Sequence, residues 1–418
     1  MLNRIKETTG SGLSRRYFLS GALAAGAALT LADRLALAQT MATGGLTAKD
    51  IHGIGVEPGL VRMALNENPI GPSPRALEAI AENMFNINRY SFGGGDIYGA
   101  LAEFDGIELP PPREMPPGMR GMGGGGRFRR QTPFYISAGS GALLSQIALT
   151  YLSKGGTEVI EADMGYGDIS GDAENYQEAG LDVNIIRTPM KDYKHDLDAM
   201  LAAITPKTSV VVITNPNNPT GTLLSFEETE KFVAAVPDNV IVVIDEAYIH
   251  FVKDPQYRTA SSLATKYDNV IVTRTFSKVF GMPAMRLGYG ICSQAIQEKL
   301  RFYRTGGANG LAMAAGEASV KDKNHYNRSR AVVQHFRDRL EDEFTKMGLE
   351  YIPSESNFMM VDLGKPSMNI MREMFEKGVM VTNRRRRQMP TWIRVSSGDE
   401  RETEVFLNVL KEALGKTS

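Results

Sequence analysis

Cysteine is scarce in this sequence. It contains one cysteine, Cys292, so no disulfide can form within the chain. No second thiol lies near Cys292 in sequence as a metal ligand or redox partner, and the residue ends a strand-like run, which predicts a buried structural cysteine. Met115, Met119 and Met122 could offer thioethers to Cu(I), but no histidine or regular spacing accompanies them. We therefore predict no metal site.

An excess of charge of either sign is also missing. Lys and Arg together number 47, and Asp and Glu number 48, in 418 residues. This balance gives no long-range field that would hold the chain on nucleic acid or on an anionic membrane surface. We expect small molecules and other copies of the same chain as partners. A chain of this length is suited to two lobes, each with its own core.

The N-terminal apolar run is too short for a stable membrane anchor. As a helix, residues 17–32 would span about 24 Å at about 1.5 Å per residue, whereas the hydrocarbon core of a bilayer is roughly 30 Å thick. Arg15 and Arg16 precede this run, and Ala36-Leu37-Ala38 follows it. The segment resembles a twin-arginine export signal with an A-x-A cleavage site. We expect residues 1–38 to be removed and the mature chain to be periplasmic, or otherwise outside the cytoplasm, with the twin-arginine translocase as a transient partner.

Short apolar runs alternate with helix-length segments between residues 86 and 320. This alternation predicts an α/β lobe with a mostly parallel seven-stranded sheet flanked by helices. Residues 321–418 predict a smaller α+β lobe, to which residues 39–85 contribute an arm and one part. Residues 105–131, rich in Gly, Pro, Met and Arg, predict a flexible insertion within the large lobe. The predicted strands of the large lobe are Phe134–Ser137, Thr157–Ala162, Val183–Arg187, Ser209–Thr214, Asn239–Ile244, Asn269–Thr273 and Arg286–Cys292.

Three motifs would lie at the carboxyl edge of this sheet, where open α/β sheets bind ligands. Thr214–Gly221 (TNPNNPTG) follows one predicted strand, and alone it is an ordinary turn sequence. Asp245–Tyr248 (DEAY) ends the next strand, and alone its Asp could be a helix cap. Thr273–Gly281 (TRTFSKVFG) precedes Arg286, and a lone Lys278 there would usually be a solvated surface residue. Hydroxyls and an arginine around that lysine, however, are what a phosphate beside an imine would need.

In this order and spacing, the motifs resemble the class I/II aminotransferases of pyridoxal-5'-phosphate (PLP) fold type I. Within that family the chain is most similar to histidinol-phosphate aminotransferases. The residues that carry this likeness are Asn66–Pro69 with Gly71–Pro74, Asn88–Tyr90 and Arg274–Arg286, and the likeness runs from about residue 60 to 415. The resemblance implies a PLP enzyme of two lobes.

The resemblance also implies a role for each candidate cofactor residue. Lys278 would hold PLP covalently and carry the substrate proton, and Asp245 would keep the pyridine nitrogen protonated. Asn218 and Tyr248 would hydrogen-bond the phenolic oxygen of the ring. Tyr166 would stack on the ring, although a tyrosine in a Gly-rich loop is often only a packed loop residue.

Phosphate binding and substrate binding are implied in the same way. Tyr90 would reach the phosphate site of a neighbouring subunit, which implies a C2 homodimer, although without the resemblance a hydrophobic staple explains Tyr90 equally well. Arg394 would bind the anionic end of the substrate, with Asn357 beside it. The phosphate ligands would be Thr275, Ser277 and Arg286, with the backbone N–H groups of Gly139, Ser140 and Gly141 at a helix N-terminus.

Two features separate the chain from histidinol-phosphate aminotransferases. That family carries a phosphate-binding arginine after a Gly-apolar-apolar-Val strand, whereas Thr382 follows Gly378–Val381 here. Arg384–Arg387 could supply another anion site, although four arginines in a loop more often form a solvated rim. In addition, histidine biosynthesis is cytoplasmic, whereas we expect this chain to be exported.

We therefore expect an aminotransferase that acts outside the cytoplasm on an amino acid, or an amino-acid-like metabolite, and a 2-oxo acid. One alternative is another PLP reaction on the same fold, such as decarboxylation, C–S or β-elimination, or oxidative deamination. True histidinol-phosphate aminotransferase activity is a second alternative. A catalytically idle PLP-fold binding protein is disfavoured, because the lysine, aspartate and arginine positions are all filled.

Overall fold

A seven-stranded sheet forms the centre of the large lobe. The computed structural model describes residues 46–90, 95–110, 132–304, 306–383 and 388–415. The strands are β1 Val61–Arg62, β2 Phe134–Ser137, β3 Thr157–Ala162, β4 Val183–Thr188, β5 Met190–Lys191, β6 Lys194–His195, β7 Thr208–Thr214, β8 Ile241–Asp245, β9 Val270–Thr275, β10 Gly288–Cys292, β11 Tyr351–Ile352, β12 Phe358–Asp362, β13 Val379–Met380 and β14 Trp392–Ser396. The strand order in the large sheet is β2-β10-β9-β8-β7-β3-β4, and only β10 runs antiparallel to its neighbours. The predicted fold, an α/β large lobe with a mostly parallel seven-stranded sheet, is therefore confirmed.

Helices cover both faces of this sheet, because its central strands carry apolar side chains on both sides. Along β8, Val242 and Ile244 pack into one core, while Ile241 and Val243 pack into the other. Cys292 lies buried in the second of these cores, as expected. The helices are α1 Pro74–Asn83, α2 Ile97–Asp105, α3 Ser140–Leu152, α4 Asp168–Glu178, α5 Leu197–Ala202, α6 Phe226–Ala235, α7 Ser261–Lys266, α8 Gln294–Phe302, α9 Gly310–Lys321, α10 Lys323–Lys346, α11 Ser367–Glu376 and α12 Glu400–Ala413.

The small lobe has its own core and is joined to the large lobe by α10. Near its middle this helix contributes Val333 to the core of the large lobe, and farther along it contributes Phe336 and Leu340 to the core of the small lobe. The antiparallel sheet β11-β12-β14 lies in the small lobe, and β1 pairs there with β13. Because Leu46 and Val61 lie in the same core, the N-terminal segment belongs to the small lobe up to β1.

The chain divides differently from the sequence interpretation at two points. Helix α1, assigned to the arm and small lobe, packs on α9 and places Ala76 in the core of the large lobe. Asp105, assigned to the flexible insertion, ends α2 and is buried in an ion pair with Arg274. Its partner lies 169 residues away, so local composition could not reveal the contact. Residues 111–131 of the insertion, and the predicted signal, lie outside the described residues.

Within the described ranges, no helix is both long and apolar enough to cross a membrane.

Candidate active site

The carboxyl ends of β7, β8 and β9 bring the three sequence motifs together, as expected for a parallel sheet. Asn218 lies in the loop after β7, Asp245 is the last residue of β8, and Lys278 follows β9. Thr214 and Asp245 are paired in register across β7 and β8, and Asp245 is paired with Thr273 across β8 and β9. The bonds before Pro216 and Pro219 are both cis.

Asp245 is a buried carboxyl group with a perturbed pKa. Its Oδ1 accepts a hydrogen bond of 2.8 Å from Thr273 Oγ1. Burial raises the pKa of Asp245 to about 7, and the Thr273 hydrogen bond opposes that shift. A cation that faced this carboxyl group would lower its pKa and hold it as a carboxylate.

Lys278 lies beside Tyr248 and the backbone of the segment before α1. Its Nζ donates to the carbonyl oxygen of Asn66 at 3.1 Å, and lies 5.4 Å from the centre of the Tyr248 ring. The Tyr248 hydroxyl accepts from Asn66 Nδ2 at 3.0 Å and from Asn218 Nδ2 at 3.4 Å. Because a phenol oxygen has two lone pairs, its own O–H remains available to donate to a ligand.

A second cluster offers donors for an anion. Gly139 begins helix α3 without a side chain to cap it, at φ +98°. A Cβ atom there would lie 2.6 Å from Nη2 of Arg286, so only glycine allows this guanidinium group to approach the helix N-terminus. The hydroxyls of Thr275 and Ser277 lie 3.0 Å apart in the loop that leads to Lys278. Ser140 and Gly141, the other predicted ligands, form the first turn of α3. A helix N-terminus with an arginine and two hydroxyls matches the needs of a phosphate.

Arg394 is buried on β14 and is held by two acceptors. Nη1 donates to Asn218 Oδ1 at 2.6 Å, and Nη2 donates to the carbonyl oxygen of Ala64 at 2.9 Å. Asn357 Nδ2 donates to the carbonyl oxygens of Asn66 and Glu67 at 3.1 and 3.2 Å. Within the described part of the chain, Asn357 Oδ1 is buried without a hydrogen-bond donor. The small lobe therefore places a guanidinium group and an amide against the same segment that Lys278 contacts.

The sequence profile of the family "Aminotransferase class I and II" matches residues 123–410. The chain belongs to this family. The histidinol-phosphate aminotransferase of Brevibacillus brevis is 33% identical over 371 residues, covering 87% of this chain and 94% of the relative. Histidinol-phosphate aminotransferase 2 of Pseudomonas fluorescens strain Pf-5 is 34% identical, covering 85% and 90%. Among solved structures, the histidinol-phosphate aminotransferase of Sinorhizobium meliloti in complex with PLP has a TM-score of 0.72 at 24% identity, covering 86% of this chain and 92% of that one.

This aminotransferase is a PLP-dependent transaminase, and the geometry of its site fits the cofactor. The predicted cofactor, PLP, is supported by the family and by the PLP complex of the structural neighbour. The donors around Gly139, Arg286, Thr275 and Ser277, here called the phosphate cradle, could hold its phosphate. Asp245 could face the ring nitrogen, whose positive charge would stabilise the buried carboxylate. Tyr248 and Asn218 could hold the ring oxygen, and Lys278 is the lysine beside them.

Two predicted residues, one for the ring and one for the phosphate, are exposed in the single chain. Tyr166 is 38% exposed in the loop before α4, and the carbonyl oxygen of Met164 in the same loop accepts from Asn217 Nδ2. Tyr90 is 90% exposed. The roles of both residues remain predictions.

Asn66 is a site residue whose importance the sequence interpretation missed. The sequence shows it only as part of a motif. In the structure its Nδ2 donates to the Tyr248 hydroxyl, and its Oδ1 accepts from Ser396 Oγ at 2.9 Å. Its backbone N–H donates to Ser396 Oγ at 2.8 Å. Its φ of +54° lies in the left-handed region, which Asn tolerates better than most residues. An asparagine in a turn-rich segment is the one available signal, and it is a weak one.

We predict that replacing Lys278 removes covalent attachment of the cofactor. Purified Lys278→Ala should lose the visible absorption of lysine-bound PLP, and borohydride should then fix no cofactor to the chain. Lys266→Ala changes an exposed lysine on α7 and should behave as wild type. Spectra and peptide mass spectrometry after borohydride treatment measure this. Cofactor fixed at another lysine of the wild-type protein would contradict the assignment.

Proposed function

We propose that this aminotransferase transfers the amino group of an α-amino acid, or an amino-acid-like metabolite, to a 2-oxo acid outside the cytoplasm. The observation that carries the substrate proposal is the buried guanidinium group of Arg394. Its planar fork could bind a carboxylate through two charge-assisted hydrogen bonds, while Asn218 and Ala64 hold it in place.

The residues around Lys278 support proton transfer. Bound PLP supplies an electron sink for the negative charge that develops at Cα of the substrate. Lys278 Nζ lies at the end of a flexible side chain and could take and return the Cα proton. Tyr248 could orient the ring oxygen through its O–H, because its lone pairs are taken by the two asparagine amides. The carboxyl group of Asp245 could stabilise a proton on the ring nitrogen.

Thr382 argues against a phosphate-bearing substrate. The backbones of Thr382 and Arg394 form a bridge, with Arg394 N–H donating to Thr382 O at 2.7 Å. An arginine at position 382 would therefore emerge beside Arg394, and Thr382 supplies no second guanidinium group. Arg384–Arg387, the other candidate anion site, lie outside the described residues. Their role stays a prediction.

Histidinol-phosphate aminotransferase activity is the second candidate. The relatives with that name are about a third identical and match most of the chain, which supports it. Loss of the second arginine weighs against it, as does the predicted export. Among the other PLP reactions on this fold, decarboxylation would need a different bond at Cα to be cleaved, whereas β-elimination and oxidative deamination begin with loss of the same Cα proton. The described contacts favour none of them.

Substrate class can be tested with the purified holoenzyme. We expect pooled α-amino acids to convert the cofactor to its amino form, and a 2-oxo acid to reverse that change, as followed by absorbance. Arg394→Ala should raise the KM strongly and lower kcat, because the substrate carboxylate loses a bidentate partner worth a few kcal/mol. Arg372→Ala, on helix α11 of the small lobe, is a control that should change neither constant. Efficient turnover of histidinol phosphate, with no response to any free amino acid, would overturn this proposal.

We also propose a C2 homodimer. An apolar run between α1 and Tyr90 is unusually exposed: Phe85 is 83% exposed and Ile87 is 71% exposed. Exposed apolar surface of this kind is typical of protein contacts, and a two-fold contact there would bring Tyr90 of one subunit towards the phosphate cradle of the other.

If this surface forms the dimer, Phe85→Asp should produce monomers with weaker PLP retention, because a charge in an apolar interface is costly. Light scattering after size-exclusion chromatography, with cofactor content per chain, measures both effects. Phe375→Asp alters an aromatic on helix α11 of the small lobe that is 58% exposed, and should leave mass and cofactor content unchanged. A dimer that persists unchanged in Phe85→Asp would refute the assigned surface.

Location outside the cytoplasm rests on the N-terminal sequence alone. In a bacterium with an active twin-arginine translocase, the double change Arg15→Lys and Arg16→Lys should leave the protein in the cytoplasm, because that pathway reads the arginine pair. Arg34→Lys, beyond the apolar run, should be exported normally. Cell fractionation and immunoblotting give the distribution. Equal periplasmic recovery of all three proteins would exclude this route.

A further inference from the structure

A cavity of about 380 Å³ lies between the two lobes, behind the segment of residues 65–68. Its size falls within the range of roughly 300 to 1,000 Å³ that is typical of small-molecule sites. The small lobe supplies one wall and the large lobe the other. Lys278 and Arg394 do not line it, but Glu67, in the segment that Lys278 contacts, does. Its walls include Ile54, Val56, Arg62, Ser397 and Glu402 from the small lobe, and Leu77, Ile80, Met282, Pro283 and Met285 from the large lobe.

Glu402 is a buried acidic side chain of this cavity. Its Oε2 accepts the backbone N–H of Asp399 at 2.8 Å in a capping box at the start of α12. The cation of the cavity, Arg62, already makes two hydrogen bonds to Glu67, at 2.9 and 3.0 Å. A buried carboxylate with one neutral donor is expensive, and a bound cation would relieve that cost.

The rest of the lining is mostly apolar. Leu77 and Ile80 project from α1, and Met282 and Met285 project from the loop after Lys278. Methionine side chains adapt their shape to a ligand more readily than branched ones. We propose that this cavity binds a small molecule with an apolar chain and a positively charged head group, and that the head group faces Glu402.

The cavity shares a wall with the catalytic cluster. The carbonyl oxygen of Glu67 accepts from Asn357 Nδ2 and from Ser397 Oγ, and the preceding carbonyl accepts from Lys278. An occupant that contacts Glu67 would therefore bear on the segment that positions the lysine. The occupant could be the distal end of the amino substrate itself or a separate molecule. The first case rests on the proposed function, whereas binding as such does not.

Ionisation of Glu402 gives the binding a predictable pH dependence. Burial raises the pKa of Glu402 to about 7, Asp399 and Glu67 raise it further, and Arg62 opposes them. These are the charged groups that face it, because the walls from α1 and from residues 281–285 are uncharged. A cation binds the ionised form, so binding releases a proton and strengthens as the pH rises. Between pH 6 and pH 8 the affinity should increase about tenfold, and then level off.

Hexyltrimethylammonium is a suitable probe, because a quaternary ammonium cannot form an imine with the cofactor. Calorimetric titration of the wild-type holoenzyme at pH 8 should show saturable binding that weakens about tenfold at pH 6. Glu402→Gln keeps the acceptor for the helix cap but removes the charge, and should bind at least tenfold more weakly with no pH dependence. Glu400→Gln, in the same first turn of α12 but outside the cavity, should match wild type.

A second variant guards against a folding defect at Glu402. Leu77→Trp fills the cavity from the wall of the large lobe and should abolish binding while Glu402 is intact. If hexyltrimethylammonium competes with the best amino donor of the transamination assay, the cavity holds the distal end of the substrate. If the probe binds without changing the KM of that donor, the cavity holds a separate ligand. Either result supports the site, and failure of the transamination assay leaves the calorimetry unaffected. Equal binding by wild type, Glu402→Gln and Leu77→Trp, or no saturable binding, would overturn the proposal.

Discussion

The backbone carbonyl groups of residues 64–67 hold candidate active-site residues of both lobes in place. Lys278, from the large lobe, donates to the carbonyl oxygen of Asn66, and Arg394, from the small lobe, donates to that of Ala64. Asn357 binds two of these oxygens. The segment can present them because Asn66 adopts a left-handed conformation and is fixed by Ser396 and Tyr248. A shift of this short segment would therefore displace the lysine and the arginine together.

A second constraint comes from the alternation of side chains along β9. Thr273 and Thr275 point to the catalytic side, where they bind Asp245 and approach Ser277. Arg274, between them, points to the other side and pairs with Glu246 and Asp105. The two adjacent acids at the end of β8 therefore have different partners. Glu246 is neutralised by an internal arginine, whereas Asp245 accepts hydrogen bonds from the Thr273 hydroxyl and the Ala247 backbone and can respond to a cofactor. Loss of one member of such a buried ion cluster typically costs about 3–5 kcal/mol, so the network fixes this arrangement firmly.

Local patterns in the sequence were enough to predict the sheet and the residues that follow its strands. The run Val240–Ile244 is apolar on both faces, and the motifs lie where the carboxyl ends of such strands meet. Contacts between distant residues could not be predicted. Arg274 and Asp105 are 169 residues apart, and Asn66 and Ser396 are 330 apart. For the same reason α1, which looks like part of the N-terminal arm, was not recognised as a helix of the large lobe.

Thr382 and Arg394 limit what the candidate site could distinguish. The guanidinium group of Arg394 is held by Asn218 and Ala64, and in the proposed role it would orient any α-carboxylate without distinguishing side chains. Thr382, beside it, offers a hydroxyl where a second cation would favour a phosphate. If the cavity at Glu402 takes the distal end of a substrate or a separate ligand, as proposed, its apolar wall and buried acid would disfavour anionic groups through repulsion and desolvation. Both features would then favour a distal end that is apolar or cationic.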